Sequence, residues 1–169
     1  MYCLGRYNFA YRLESYANIA SVLWAETGQG TTYDFVRRLV FSVLIGNGDM
    51  HLKNWSLLYP DRRNPVLSPA YDFLATLPYL PHDRLGLNFG DSRSLNEITV
   101  DQVRRFADTA RLPVSPLWQT VTETAERTVA AWQTLELTPL LPHDMRTAIG
   151  NQILAVATNI RRNRTSAPA

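Results

Sequence analysis

Apolar residues recur at helical spacing through "LESYANIASVLWAE", where Leu13, Tyr16, Ala17, Ala20, Leu23 and Trp24 share one face. The following "TGQG" supplies the glycine punctuation that ends a helix. The next run, "TTYDFVRRLVFSVLIGNGD", carries about four turns of mostly apolar residues, too long for a single strand. Thr32 is its candidate cap, and Gly46 and Gly48 stop it. A largely buried helix is therefore expected to deliver the chain to Asp49.

Beyond that point the texture changes. The short apolar runs "NWSLLY" and "VLSPAYDF" flank the proline-bounded "PDRRNP", which predicts a small β-hairpin whose second arm ends at Asp72. The segment from Ala75 to Leu95 is rich in Pro, Gly, Asp and Asn and reads as irregular, with "RLGLNF" as a short strand inside it. Three helices close the chain: "TVDQVRRFADTARL" capped by Thr99, "SPLWQTVTETAERTVAAWQTL" capped by Ser115 with Pro116 at its first position, and "LPHDMRTAIGNQILAVATNIRR". The expected fold class is mainly α with one small hairpin. No repeat, heptad array or second domain is visible, so residues 1–160 form one expected domain and 161–169 a basic disordered tail.

Composition narrows the classes further. A chain of 169 residues that is 46% apolar can bury a substantial core. No window approaches eighteen uninterrupted apolar residues, and "MYCLGRYNFAYRLESY" lacks the ordered parts of a secretion signal, so a cytoplasmic protein with no membrane partner is expected. Cys3 is the single cysteine, which excludes an internal disulfide and a thiolate metal cluster built from one chain. The net charge of +2 resides largely in Arg161, Arg162 and Arg164 of the tail, and direct nucleic-acid binding is not expected. Of the 17 basic residues 16 are arginine; the sole lysine is Lys53.

That lysine lies in "IGNGDMHLKNWS", which places Asp49, His51, Lys53 and Asn54 within six positions. Asp49 and Asn54 are five residues apart, and a loop that curls back would turn both oxygens to one point, a donor set that suits Mg²⁺. A carboxylate that receives a hydroxyl proton, an amide that ligates a metal and a lysine that neutralises moving charge are what phosphoryl transfer asks of a catalytic loop. Asp72, 23 residues beyond Asp49, offers the second metal-binding carboxylate across the hairpin. Protein kinases present these three residue types in this order. Each element alone is weak, because an Asp or Asn after a glycine is more often a turn residue. Order, spacing, a buried helix before and a hairpin between make the conjunction far more demanding.

The same residues carry a resemblance. "FSVLIGNGDMHLKNWSLLY" followed by "LSPAYDF" resembles the C-terminal region of HipA-type toxin serine/threonine kinases of bacterial toxin–antitoxin systems, whose pattern is approximately "G-x-x-D-x-H-x-K-N-x-S" and then "P-x-Y-D". The resemblance implies a helical bundle like a kinase C-lobe. It implies that Asp49 accepts the substrate hydroxyl proton, that Asn54 and Asp72 bind Mg²⁺, and that Lys53 lies near the γ-phosphate of ATP. His51 would brace the loop by hydrogen bonding, a role that stands beside a purely structural one. A protein substrate and a DNA-binding antitoxin partner are implied as well.

A kinase also needs a phosphate cradle and a strand-borne lysine from an N-terminal lobe. Lys53 is already in the loop, and the 48 residues before Asp49 read as two helices. "TGQG" follows a helix instead of a strand and brings no lysine, so it reads as a turn. The expectation is a separate N-lobe polypeptide, inactivity of this chain alone, and exposed apolar surface that favours homo-oligomers. Two other readings stay open: a non-catalytic binding or scaffold remnant, and a Mg²⁺-dependent hydrolase. His82 and His143 lack the ligand spacing that the last would want.

Overall fold

Residues 16–45 would form one long helix were it not for Gly28, whose φ of 82° lies in the left-handed region that favours glycine. In a computed structural model, which describes residues 2–3, 15–136 and 140–163, the run divides there into α1 (Tyr16–Thr27) and α2 (Gln29–Ile45). Thr32 is consequently not a cap. It sits inside α2, and its hydroxyl donates to the Gly28 carbonyl at 3.0 Å. Leu13, the first residue of the expected helix, lies outside the described residues.

The expected hairpin is present but shorter on its second arm. Strands β2 (Ser56–Leu58) and β3 (Val66–Leu67) pair antiparallel with Leu57 opposite Leu67, and β1 (Tyr2–Cys3) adds to the free edge of β2. One further bond, from Ser68 N–H to the Ser56 carbonyl at 2.9 Å, follows β3, and Pro69 then has no N–H with which to continue. Asp72 therefore lies five residues beyond the strand, in irregular backbone. "RLGLNF" forms no ladder among the described residues either. Leu85, Leu87 and Phe89 alternate inward as a strand's residues would, yet among the described residues only single-residue bridges are made, Ser15 with Asn88 and Phe89 with Ser92.

The closing helices are α3 (Val100–Ala110), α4 (Val114–Thr134) and α5 (His143–Arg162). Thr99 caps α3 in a reciprocal box with Gln102, as expected. At α4 the start shifts to Val114, so Ser115 and Pro116 occupy the first turn, where a missing proline N–H costs little. Arg161 and Arg162 complete the last turn of α5, a favourable place for cations, and residues 164–169 of the expected tail lie outside the described residues.

Helix α2 is the hub of the packing. Phe35, Val36, Leu39, Val40, Val43 and Leu44 are all buried, against α1 on one side and α4 and α5 on the other. Its end is fixed by a buried Gln152 on α5, whose amide N–H₂ donates to the Val43 carbonyl at 3.1 Å and to the Leu95 carbonyl at 2.5 Å. Gly46 then closes the helix in the left-handed conformation, with φ 73° and ψ 41°. A Cβ at Gly46 would lie 2.8 Å from Leu77 Cβ.

Two substitutions test this placement. Gly46→Ala combines left-handed strain with that collision and is expected to cost about 2–4 kcal/mol in urea unfolding. Gln152→Leu leaves the Leu95 carbonyl without its donor and should cost about 2 kcal/mol by the same measurement, against less than half of that for a polar surface residue.

Candidate active site

The chain leaves α2 through four residues whose backbone polar groups are nearly all assigned. Asn47 N–H donates to the Ser42 carbonyl at 2.8 Å, closing the helix end. The Gly46 carbonyl accepts from the N–H groups of both Thr76 and Leu77 at 3.0 Å. Gly48 N–H donates to Thr76 Oγ1 at 2.8 Å, and that hydroxyl donates in turn to Asp83 Oδ2 at 2.5 Å. A Cβ at Gly48 would meet the Asp83 carboxylate and come within 2.8 Å of the Arg84 carbonyl, so glycine is required there for close approach.

Asn47 is completely buried and works in two directions. Its Oδ1 accepts the Asp49 N–H at 3.1 Å, which orients the start of the loop, and its Nδ2 reaches the Asp72 carbonyl at 3.4 Å. Met50 is buried, and its carbonyl accepts the Tyr16 hydroxyl from α1 at 2.7 Å. Burial of that phenol pushes its ionisation well above the ordinary tyrosine range, so it stays a donor. Between two buried anchors, Asn47 and Met50, the Asp49 side chain is turned to solvent and is half exposed.

The candidate residues fall into two groups. Asp49, His51 and Lys53 form the first: His51 Nε2 lies 3.1 Å from one Asp49 oxygen and Lys53 Nζ 3.6 Å from the other. A proton on that histidine nitrogen points at the carboxylate, and the ring's other side abuts Gly86, where a Cβ would lie 2.7 Å from Nδ1. All three side chains are at least half exposed, which is the condition for meeting a substrate from solvent.

Asn54 and Asp72 form the second. A single 3₁₀ turn, Leu52–Asn54, takes the chain inward and buries Asn54, whose Nδ2 donates to Asp72 Oδ2 at 2.5 Å. The other amide oxygen, Asn54 Oδ1, is buried with no hydrogen-bond partner among the described residues. An orphaned buried acceptor of this kind costs about 1–3 kcal/mol unless something else satisfies it. Asp72 has a φ of 59°, a left-handed conformation that Asp adopts more readily than most residues but that still stores about 1–3 kcal/mol. Two unfavourable features thus meet at one contact.

Further residues hold these groups together, and sequence reasoning gave them no role. Tyr71, directly before Asp72, donates its hydroxyl proton to the Lys53 carbonyl at 2.9 Å, and the Ser56 hydroxyl lies 2.7 Å from the Tyr71 hydroxyl. Arg38 on α2 donates to the Ser68 carbonyl at 2.6 Å and pairs with Asp34. Trp55 packs its ring on Phe35 with centroids 4.4 Å apart. The Ser and Tyr of the two motif halves were legible as motif letters; Tyr16 and Thr76 carried no spacing signal, because their partners Met50, Gly46 and Gly48 are remote in the chain.

Comparison with known proteins agrees with this architecture. The profile of the HipA-like C-terminal domain matches residues 2–132. A Sinorhizobium fredii protein named "Putative kinase Y4dM" is 48% identical over 120 residues, which is 70% of this chain and 29% of that protein. A "Putative kinase" of Haemophilus influenzae is 37% identical over 67 residues, 38% of this chain and 20% of its own length. A chain in the solved toxin–antitoxin complex of HipA, HipB and operator DNA from Shewanella oneidensis MR-1 superposes with a TM-score of 0.69 at 23% identity, over 88% of this chain and 36% of that one. The chain thus spans less than a third of the curated relatives named above. Matched by that profile over most of its length, the chain belongs to the HipA-like C-terminal domain family.

Proposed function

We propose that this chain is the catalytic lobe of a HipA-like protein serine/threonine kinase, which moves the γ-phosphoryl group of ATP to a protein hydroxyl and works with Mg²⁺. The observation that carries the reading is the buried, unpartnered Asn54 Oδ1 beside the Asp72 carboxylate. A neutral oxygen and a carboxylate held together in this way fit a hard cation, and Mg²⁺ typically takes one or two protein oxygens with phosphates and water completing its shell. Bound there, Mg²⁺ would supply neutralisation of phosphate charge.

The chain's own residues do the rest. Asp49, exposed and oriented by Asn47, accepts the proton of the substrate hydroxyl as its oxygen bonds to phosphorus and the bond to the departing ADP oxygen breaks. Lys53, within 3.6 Å of Asp49, supplies positive charge where negative charge moves. His51 holds the other Asp49 oxygen and so limits its rotation. The lysine that grips the nucleotide from the opposite side comes, on this reading, from N-lobe residues outside this sequence, since Lys53 is the sole lysine in it. A DNA-binding antitoxin is the proposed partner, by likeness to the fold found with HipB and operator DNA. Leu74, Tyr79 and Leu80 stand exposed just beyond Asp72 and provide apolar surface on which another polypeptide could seat.

Phosphotransfer from labelled ATP–Mg²⁺, measured with the chain joined by an N-lobe polypeptide, tests the assignment. Asp49→Asn and Asp72→Asn are each expected to lower the rate by about a hundredfold or more. Full activity in either variant would overturn it. Tyr71→Phe removes the tie between Asp72 and the loop without touching either donor; it should raise the Mg²⁺ concentration for half-maximal rate several-fold while costing only about 1 kcal/mol of stability in urea unfolding.

A further inference from the structure

A groove of about 460 Å³ lies between α2, α4 and the segment that ends in Phe73. Its base is apolar: Phe41 and Phe73 pack with ring centroids 5.7 Å apart, and Ala70 and Ala131 continue the surface. Thr124 and Thr128 contribute methyl groups here, because each donates its hydroxyl proton to a carbonyl one turn back on α4. Three guanidinium groups stand around this base, those of Arg37, Arg38 and Arg127.

The charges are unequally satisfied. Arg38 is held by Asp34 and by the Ser68 carbonyl, and contributes little net charge to a visitor. Arg37 and Arg127 are exposed, from different helices, and no acidic side chain among the described residues pairs with either. In a protein with a net charge of only +2, two unpaired arginines that converge on one aromatic base are a local excess of positive charge. The groove is open along its length, where a small-molecule site would enclose most of its ligand. Guanidinium groups at the rim and apolar rings at the base match a chain that carries carboxylates on either side of one apolar side chain.

We infer that the groove between Arg37 and Arg127 docks an acidic peptide segment of another protein, with an aromatic or aliphatic side chain seated on Phe41 and Phe73. Because Phe73 follows Asp72 directly, a protein tethered there is held beside the segment that carries Asp72. The docking itself does not depend on the kinase reading and is measured without ATP.

The test is binding of a labelled ten-residue peptide with glutamates on both sides of a phenylalanine, followed by fluorescence anisotropy with the full chain. Its lysine counterpart, its alanine counterpart, inorganic phosphate and a single-stranded DNA oligonucleotide serve as comparisons. The acidic peptide is expected to bind about tenfold or more tightly than either counterpart, with affinity falling as salt rises. Arg37→Glu with Arg127→Glu should abolish that preference and turn it toward the lysine peptide. Ala131→Trp, which fills the exposed side of the groove without altering charge, should weaken the acidic peptide about as much; it carries the test if charge reversal disturbs folding, which circular dichroism reports. Equal binding of acidic and basic peptides, indifference to both variants, or displacement by phosphate or the oligonucleotide at matched charge would overturn the inference.

Discussion

Closure of α2 at Gly46 is the constraint from which the rest of the site follows. In one left-handed residue the helix stops, its last carbonyls find donors, and the freed Gly46 carbonyl takes two N–H groups from Thr76 and Leu77, thirty residues on. Thr76 then accepts from Gly48 and donates to Asp83. The loop bearing Asp49 and the segment that follows Asp72 are thereby fastened to the same point, the end of a helix buried on most sides. Precision at the loop is borrowed from the rigidity of the core, through hydrogen bonds with few alternatives.

The two groups of candidate residues differ in how they are held. Asp49, His51 and Lys53 interact with one another across exposed side chains, where pairing is weak and readily rearranged. Asn54 and Asp72 are fixed more firmly, yet their arrangement is costly: a buried acceptor lacks a donor, and a non-glycine residue is left-handed. Surroundings over-determine this geometry. Tyr71 is tied to Lys53, Asn47 to Asp72, and Arg38 to Ser68, so the segment cannot relax without breaking bonds elsewhere. Features that lower stability and yet persist in such a frame are those that a bound group would repay.

Much of this was legible in the residue order, and the exceptions have physical reasons. Helical periodicity located the five α-helices of the described residues, and Thr99 was read correctly as a cap because a capping box is local, with both partners within three residues. Thr32 and Ser115 were misread since Gly28 and Pro113 offer competing starts a few residues earlier, and a helix begins where the backbone first permits it. The second hairpin arm was drawn too long because apolar alternation continues past Pro69, while the ladder cannot. "RLGLNF" has the alternation of a strand and the burial of one, but among the described residues it makes only single-residue bridges.

By itself the sequence determined what depends on neighbours in the chain: the helical periods, the glycine stop before Asp49, and the order of Asp49, His51, Lys53, Asn54 and Asp72. Tertiary structure decided which of these residues touch. Asn54 and Asp72 meet across 18 positions, Tyr16 reaches Met50 across 34, and Gln152 reaches Val43 across 109. Such contacts leave no periodic trace, because a hydrogen bond between distant residues is selected by the packed shape of the whole core and not by the local conformational preference of either partner.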